Sequence, residues 1–134
     1  MERREFLKSA AATALASQAL RGAQNELPKR SYKDDVKLST IGFGGIVMMG
    51  LEQPEANRIV AEAIGRGLNY FDVAPSYGDG EAEEKLGVAL QHYRKNVFLA
   101  CKAERRDGKG AREQLGGSLK RLNTDTSICI NSTP

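Results

Sequence analysis

Three side chains that can take part in proton transfer lie in or just after short apolar runs in the middle of the sequence. Asp72 follows the run NYF, Lys102 follows VFLAC, and Tyr77 comes five residues after Asp72. A phenol is a weak acid at neutral pH, but a neighbouring ammonium stabilises the phenolate and so favours proton release. Such a trio suits protonation of a carbonyl oxygen while a hydride arrives at the carbon, with Tyr77 as donor, Lys102 supplying charge and Asp72 orienting the lysine.

A structural explanation fits the same residues. The apolar neighbours of Asp72 and Lys102 indicate burial, and an unpaired buried charge costs several kcal/mol, so the two are expected to pair. An ion pair at the edge of a sheet, beside an ordinary loop tyrosine, would give the same spacing. The residue types alone therefore leave a catalytic and a structural reading open.

The elements that must position these side chains alternate between strand and helix. Strand-like apolar runs alternate with segments whose apolar residues recur every three to four positions, as on one face of a helix. This alternation predicts an α/β fold built from right-handed βαβ units around a parallel sheet. The predicted order is a hairpin partner LPKRSY, strand VKLSTIGFGG, helix QPEANRIVAEAIGRG, strand LNYFDVA, helix EAEEKLGVALQHY, strand NVFLACK and helix AREQLGGSLKRL.

The position of the candidate residues along these strands is informative. In this prediction Asp72 closes the second strand and Lys102 closes the third. Because the carboxyl ends of parallel strands meet on one rim of the sheet, the two charges are expected to lie together, with Tyr77 folding back over them from the following loop.

Composition excludes several classes of function. The formal net charge of +3 is spread along the 134 residues and aromatic residues are few, so no nucleic-acid-binding surface is predicted. No apolar run approaches the roughly 20 residues of a membrane span, so we expect no stable membrane anchor. Cys101 and Cys129 have neither the spacing of metal ligands nor that of a disulfide framework, and we predict no metal site.

The amino terminus indicates a compartment. The segment MERREFLKSAAATALASQALRGAQ places Arg3 and Arg4 before a weakly apolar, alanine-rich run, which resembles a bacterial twin-arginine export signal. A short surface helix is the alternative, since alanine is the best helix former. We therefore expect a signal peptide over residues 1–23, a partnership with the twin-arginine export machinery and a periplasmic or exported protein. Residues 24–37 would form a linker and the amino-terminal hairpin.

The middle of the chain also resembles a known family. LSTIGFGG, GRGLNYFDVAPSYGDGEAEEKLGVAL and VFLACK are similar to the amino-terminal part of an aldo-keto reductase, over about Leu38 to Asp125. The resemblance implies a (β/α)₈ TIM barrel, of which residues 38–134 would form the first three to four βα units. It also implies NADPH-dependent reduction of a small aldehyde or ketone, or reduction with NADH in its place.

The resemblance assigns roles to particular residues. Asp72, Tyr77 and Lys102 match three of the family's four catalytic positions, with Tyr77 as the proton donor. Gly44 and Gly45, together with Asp72, match positions beside the nicotinamide end of the cofactor. His92 falls between the second helix and the third strand, away from the carboxyl rim, and is assigned to the surface.

The end of the sequence departs from the family pattern. The family would continue into a fourth apolar strand closing with a catalytic histidine, whereas this chain reads TSICINSTP, with Thr133 near the expected position. A barrel of this kind also needs about 250 residues. We therefore expect the chain by itself to be an inactive or impaired reductase and to self-associate through an uncovered sheet face and edge.

Two further classes of function remain open at this stage. One is a Schiff-base lyase or aldolase of TIM-barrel type, in which Lys102 would form a covalent adduct with a carbonyl substrate. The other is a non-enzymatic protein, either a fragment or a binding subunit on a reductase scaffold.

Overall fold

An antiparallel hairpin opens the part of the chain that the structure describes. The structure is a computed structural model that describes residues 26–126 and the backbone of 129–132; the predicted signal peptide lies outside these ranges. Strand β1 (Lys29–Lys33) pairs with β2 (Val36–Ser39), which confirms the predicted hairpin. The side chain of Asn69 fixes the hairpin to the main sheet, because its Oδ1 accepts from the backbone of Ser39 at 2.7 Å.

The main sheet has four parallel strands. They are β3 (Phe43–Gly44), β4 (Tyr70–Val73), β5 (Phe98–Ala103) and β6 (Cys129–Ser132), which pair in that order. The predicted single strand VKLSTIGFGG is therefore wrong, since its first half pairs back onto β1 and its second half forms β3. Gly42 lies in the turn between them, where a Cβ would come within 2.6 Å of the Tyr70 ring.

Three helices lie between the strands and pack on one face of the sheet. They are α1 (Gln53–Gly65), α2 (Glu81–Leu90) and α3 (Gly108–Arg121), all close to the predicted segments. Pro54 occupies the first turn of α1, where the missing N–H has no cost. Helix α3 begins earlier than predicted because the Asp107 side chain accepts from the Gly110 N–H and caps its first turn.

The alternation of side chains across the sheet separates the core from the candidate site. Phe71 and Val73 of β4 and Leu99 and Cys101 of β5 are buried in the core. Residues between them in sequence lie on the opposite face, because successive residues of a strand point to opposite sides. The helices fill the core with buried Ala56, Val60, Ala82, Leu86, Ala89, Leu90 and Leu122.

The last described strand changes one expectation. The polar segment around TSICINSTP was not expected to have the character of a strand, but Cys129–Ser132 pairs in parallel with β5, with Ala103 opposite Ser132. Backbone hydrogen bonds form this ladder and do not depend on an apolar sequence. Thr133 lies outside the described residues.

Within the described residues, none of the helices combines the length and the apolar character that crossing a membrane would need.

Candidate active site

Asp72 and Lys102 lie on one face of the sheet near the carboxyl ends of neighbouring strands. Asp72 is opposite Ala100 in the ladder between β4 and β5, and Lys102 is two residues further along β5. A step of two residues keeps a side chain on the same face, so a long lysine side chain can reach back to the carboxylate. Val73 and Ala103 close the two strands, one residue after Asp72 and Lys102.

Lys102 joins the three predicted catalytic side chains. Its Nζ donates to Asp72 Oδ1 at 2.6 Å and to the Tyr77 hydroxyl oxygen at 2.9 Å. The same nitrogen lies 5.1 Å from the centre of the Tyr77 ring. An ammonium can only donate, so the phenol oxygen acts as an acceptor toward Lys102 and keeps its own hydrogen for another group.

The environment of the trio keeps the lysine charged. The side chains of Lys102 and Asp72 are 24% and 26% exposed, so the ion pair is partly open to solvent. The hydrogen bond to Asp72, followed by that to Tyr77, raises the pKa of Lys102 above its usual range. Lys102 is therefore an ammonium at neutral pH and provides a fixed positive charge beside the phenol.

Tyr77 is held by the turn that connects β4 to α2. Its N–H donates to the carbonyl oxygen of Ala74 at 3.1 Å, and its own carbonyl accepts from the N–H of Ala82 at 3.2 Å. Gly78 and Gly80 have φ angles of +64° and +93°, which glycine adopts without steric cost. The turn therefore folds the phenol back over the carboxyl rim, as the sequence predicted.

The two glycines expected at the cofactor differ in their surroundings. Gly45 is buried, and a Cβ there would lie 2.8 Å from the Asp72 carbonyl oxygen and from the Val73 side chain. Gly44 is opposite Asp72 in the ladder, is exposed, and has nothing within 4 Å of a Cβ position. Gly45 is thus required by packing against β4, whereas Gly44 leaves open space beside the Asp72 carboxylate.

His92 and the two methionines that follow β3 are not part of this trio. His92 is exposed beyond the carboxyl end of α2, in the segment that leads to the beginning of β5. Met49 is 43% exposed on the loop after β3, and Met48 beside it is completely buried.

A second ion pair, between α2 and α3, was missed by the sequence analysis. Glu83 is completely buried and accepts from Arg121 Nε at 2.6 Å through Oε2. Glu83 Oε1 and the hydroxyl of Ser118 are buried without a hydrogen-bond partner among the described residues. Helix α2 begins with the sequence EAEE. Acidic residues at this place indicate the start of a helix and do not predict a buried ion pair.

Comparison with known proteins identifies the family of this chain. The profile of the Aldo/keto reductase family matches residues 40–127. The methylglyoxal reductase YeaE of Escherichia coli is 36% identical over 99 residues, which cover 70% of this chain and 34% of that protein. The chain spans about a third of the length of the curated relatives it matches.

Solved structures show the same fold. The aldo-keto reductase AKR11C1 of Bacillus halodurans, in its holo form, is 30% identical with a TM-score of 0.69, over 80% of this chain and 40% of that chain. An aldo-keto reductase of Klebsiella pneumoniae in complex with NADPH is 28% identical with a TM-score of 0.63, over 74% of this chain and 37% of that one. The predicted TIM-barrel fold class is confirmed, with the described residues forming part of such a barrel. From the profile match over more than half of its residues, the chain belongs to the aldo/keto reductase family.

Proposed function

We propose that this chain provides the proton-donating part of an enzyme that reduces aldehydes or ketones with NADPH, or with NADH in its place. The observation that carries the proposal is the position of Lys102 Nζ, within hydrogen-bond distance of both Asp72 and Tyr77. The family membership and the reductase relatives support the same reaction class.

We infer a step in the reaction for each side chain. The Tyr77 hydroxyl donates its proton to the carbonyl oxygen of the substrate, because its oxygen already accepts from Lys102 and its hydrogen is directed elsewhere. The Lys102 ammonium stabilises the phenolate that remains after proton transfer. Asp72 holds the ammonium in place and balances its charge. Tyr77 then regains a proton from solvent, to which the site is partly open.

The residues near Asp72 fit a nicotinamide. Gly44 is exposed, lies opposite Asp72 and leaves room for a flat ring close to the backbone, whereas a side chain at this position would fill that space. We therefore infer that Gly44 and Asp72 border the nicotinamide, with Gly45 bringing the loop close to β4. The bound cofactor supplies the hydride that reaches the carbonyl carbon. The Klebsiella structure in complex with NADPH supports this cofactor.

The alternative of a Schiff-base lyase or aldolase is not favoured. A lysine that attacks a carbonyl must lose its proton, and enzymes of that kind lower the pKa of the lysine. Here Asp72 and Tyr77 raise the pKa of Lys102, so the amine is protonated and is not a nucleophile.

We propose that the 134 residues by themselves are an inactive or impaired reductase. The chain spans only about a third of the length of the curated relatives it matches. The function is therefore tested best in a completed barrel, in which residues 38–126 of this chain replace the matching residues of a full-length aldo/keto reductase. Consumption of NADPH that depends on added aldehyde supports the proposal. Covalent trapping of the aldehyde on Lys102 by borohydride would instead support the lyase.

We also propose that the protein is exported. The support is the Arg3-Arg4 leader with its alanine-rich run, residues that lie outside the described part of the chain. The twin-arginine route carries folded proteins, which suits an enzyme that binds its cofactor before export.

A further inference from the structure

The turn that carries Tyr77 is tied to the first turn of α2. The carbonyl oxygen of Tyr77 accepts from the N–H of Ala82, and that of Gly78 accepts from the N–H of Glu81 at 3.1 Å. The backbone on either side of the proton donor therefore moves together with the beginning of this helix. Whatever fixes Glu81 also limits the position of Tyr77.

The side chain of Glu81 reaches a second loop. Its Oε1 accepts from the backbone N–H of Gly50 at 3.1 Å, in the loop between β3 and α1. The same oxygen accepts from Lys85 Nζ, one helical turn further on. The hydrogen bond to Lys85, followed by that to Gly50, lowers the pKa of Glu81, so the carboxylate is charged at neutral pH. Lys85 thus fixes the carboxylate of Glu81, and the carboxylate fixes the loop through the backbone of Gly50.

The two loops come close to each other at the residue after the proton donor. A Cβ on Gly78 would lie 2.9 Å from Glu81 Oε2 and 3.4 Å from Met49 Cγ. A side chain on Gly78 would therefore have to displace the Glu81 carboxylate and press against the Met49 side chain. Met48, next to Met49, is completely buried and anchors the loop from below.

We propose that Glu81 is a positioning residue that ties the loop containing Met49 and Gly50 to the turn containing Tyr77. Its carboxylate makes the loops after β3 and β4 a single unit beside the proton donor. The effect of Glu81 on catalysis rests on the proposed function. The link between the two loops does not depend on it. Loss of the carboxylate should release Gly50, withdraw Met49 from Gly78 and shift the Tyr77 ring.

Amide hydrogen exchange and ring signals in NMR spectra of the whole chain test this directly. In Glu81→Ala we expect the Gly50 amide to exchange at least about ten times faster and the ring signals of Tyr77 to move. Glu81→Gln keeps an acceptor but loses the ion pair, so an intermediate exchange rate is expected. Glu84→Ala is the matched control, since Glu84 is exposed in the same helix and has no hydrogen bond to the loop among the described residues.

A second variant keeps the test decisive if Glu81→Ala does not fold. Lys85→Met retains the carboxylate but removes its anchor, and we expect several-fold faster exchange at Gly50. Gly50 exchange within twofold of the unmodified chain, or unchanged Tyr77 ring signals, in the folded Glu81 or Lys85 variant would overturn the proposal.

The completed barrel separates this proposal from the proposed function. There Glu81→Ala should lower kcat several-fold, because the proton donor is displaced, while the KM for the aldehyde stays within about twofold and the Kd for NADPH is unchanged. A chain that shows the Gly50 and Tyr77 changes without any reductase activity would refute the proposed function and support the positioning role. An active reductase in which Glu81→Ala does not change Gly50 exchange would support the proposed function and refute the positioning role.

Discussion

Lys102 reaches diagonally across two parallel strands to Asp72, with Nζ 2.6 Å from Oδ1. The carboxylate stands opposite Ala100, so the lysine must extend back along the sheet by two residues to make this contact. The Tyr77 hydroxyl oxygen accepts a second hydrogen bond from the same ammonium, at 2.9 Å. One cation thus fixes the distance between a carboxylate and a phenol that come from different elements.

Replacing Lys102 by methionine should impair both the reaction and the fold. Methionine keeps much of the length of the side chain but removes the cation that pairs with Asp72. The same cation would stabilise the phenolate of Tyr77 after proton transfer. Because both charged side chains are about a quarter exposed, the free energy of unfolding should fall by about 1–3 kcal/mol, between the values for exposed and buried pairs. Turnover in the completed barrel should fall by at least about 100-fold.

Urea unfolding and aldehyde turnover measure these two effects separately. Lys95→Met is the control, since Lys95 is exposed in the segment just before β5. Its stability and turnover should both stay near those of the unmodified protein. If Lys102→Met lowers stability while turnover is retained, the pair has only a structural role.

The buried pair between α2 and α3 should contribute more to stability. Arg121→Met leaves the completely buried carboxylate of Glu83 without a cation, for which we expect a loss of about 3–5 kcal/mol in the free energy of unfolding. Glu83→Gln should cost less, because a neutral amide still accepts from Arg121. Lys120→Met, at the exposed neighbouring position, should change stability by less than about 0.5 kcal/mol. Equal effects of Arg121→Met and Lys120→Met in urea unfolding would contradict a buried ion pair.

Much of the fold follows from the sequence. The period of the apolar residues places α1, α2, β4 and β5 close to their observed bounds. The rim shared by Asp72 and Lys102 also follows, because each residue comes at the end of an apolar run in a strand. The split of VKLSTIGFGG into β2 and β3 does not, since it depends on pairing with β1 and not on local periodicity.

The long-range polar contacts could not be predicted from the sequence. Glu83 and Arg121 are 38 residues apart, and Glu81 and Gly50 are 31 apart. Acidic residues in the first turn of a helix have a local explanation in the helix dipole, which hides their tertiary partners. Only the packing of α2 against α3 and against the loop after β3 reveals which carboxylate has which partner.

The cap of α3 predicts a dependence of stability on pH. The Gly110 N–H donates to Asp107 Oδ1 at 2.7 Å, which lowers the pKa of Asp107 below its ordinary value. A lowered pKa in the folded state adds stability above the unfolded-state pKa of about 3.9, and this addition is lost as the pH falls through the folded-state pKa. Asp107→Ala should therefore be less stable than the unmodified protein at pH 7, and the gap should narrow below about pH 3.5.

Urea titrations at several pH values give this comparison. Glu113→Ala is the control, because Glu113 is exposed in the same helix and its side chain makes no hydrogen bond among the described residues. Its effect should not share the pH dependence of Asp107→Ala. A stability gap for Asp107→Ala that is constant from pH 7 to pH 3 would show that the charge of Asp107 adds nothing to the cap.

The export proposal makes a prediction about the leader. A reporter fused behind residues 1–23 should be exported in a bacterium with a twin-arginine system, and replacing Arg3 and Arg4 with lysine should block this. Fractionation of the periplasm measures the result. Export that continues unchanged with two lysines, or in a strain lacking the twin-arginine system, would refute the proposal.

The most direct test of Tyr77 as the proton donor is the turnover of an aldehyde by the completed barrel with Tyr77→Phe, measured together with the Kd for NADPH. The account predicts a fall in kcat of at least about 100-fold with the Kd unchanged, because the variant loses only the hydroxyl that donates the proton. Tyr93→Phe, which removes a hydroxyl from the segment between α2 and β5, should leave both values unchanged. Turnover of Tyr77→Phe within a few-fold of the unmodified barrel, or an equal loss of NADPH binding and turnover, would contradict Tyr77 as the proton donor.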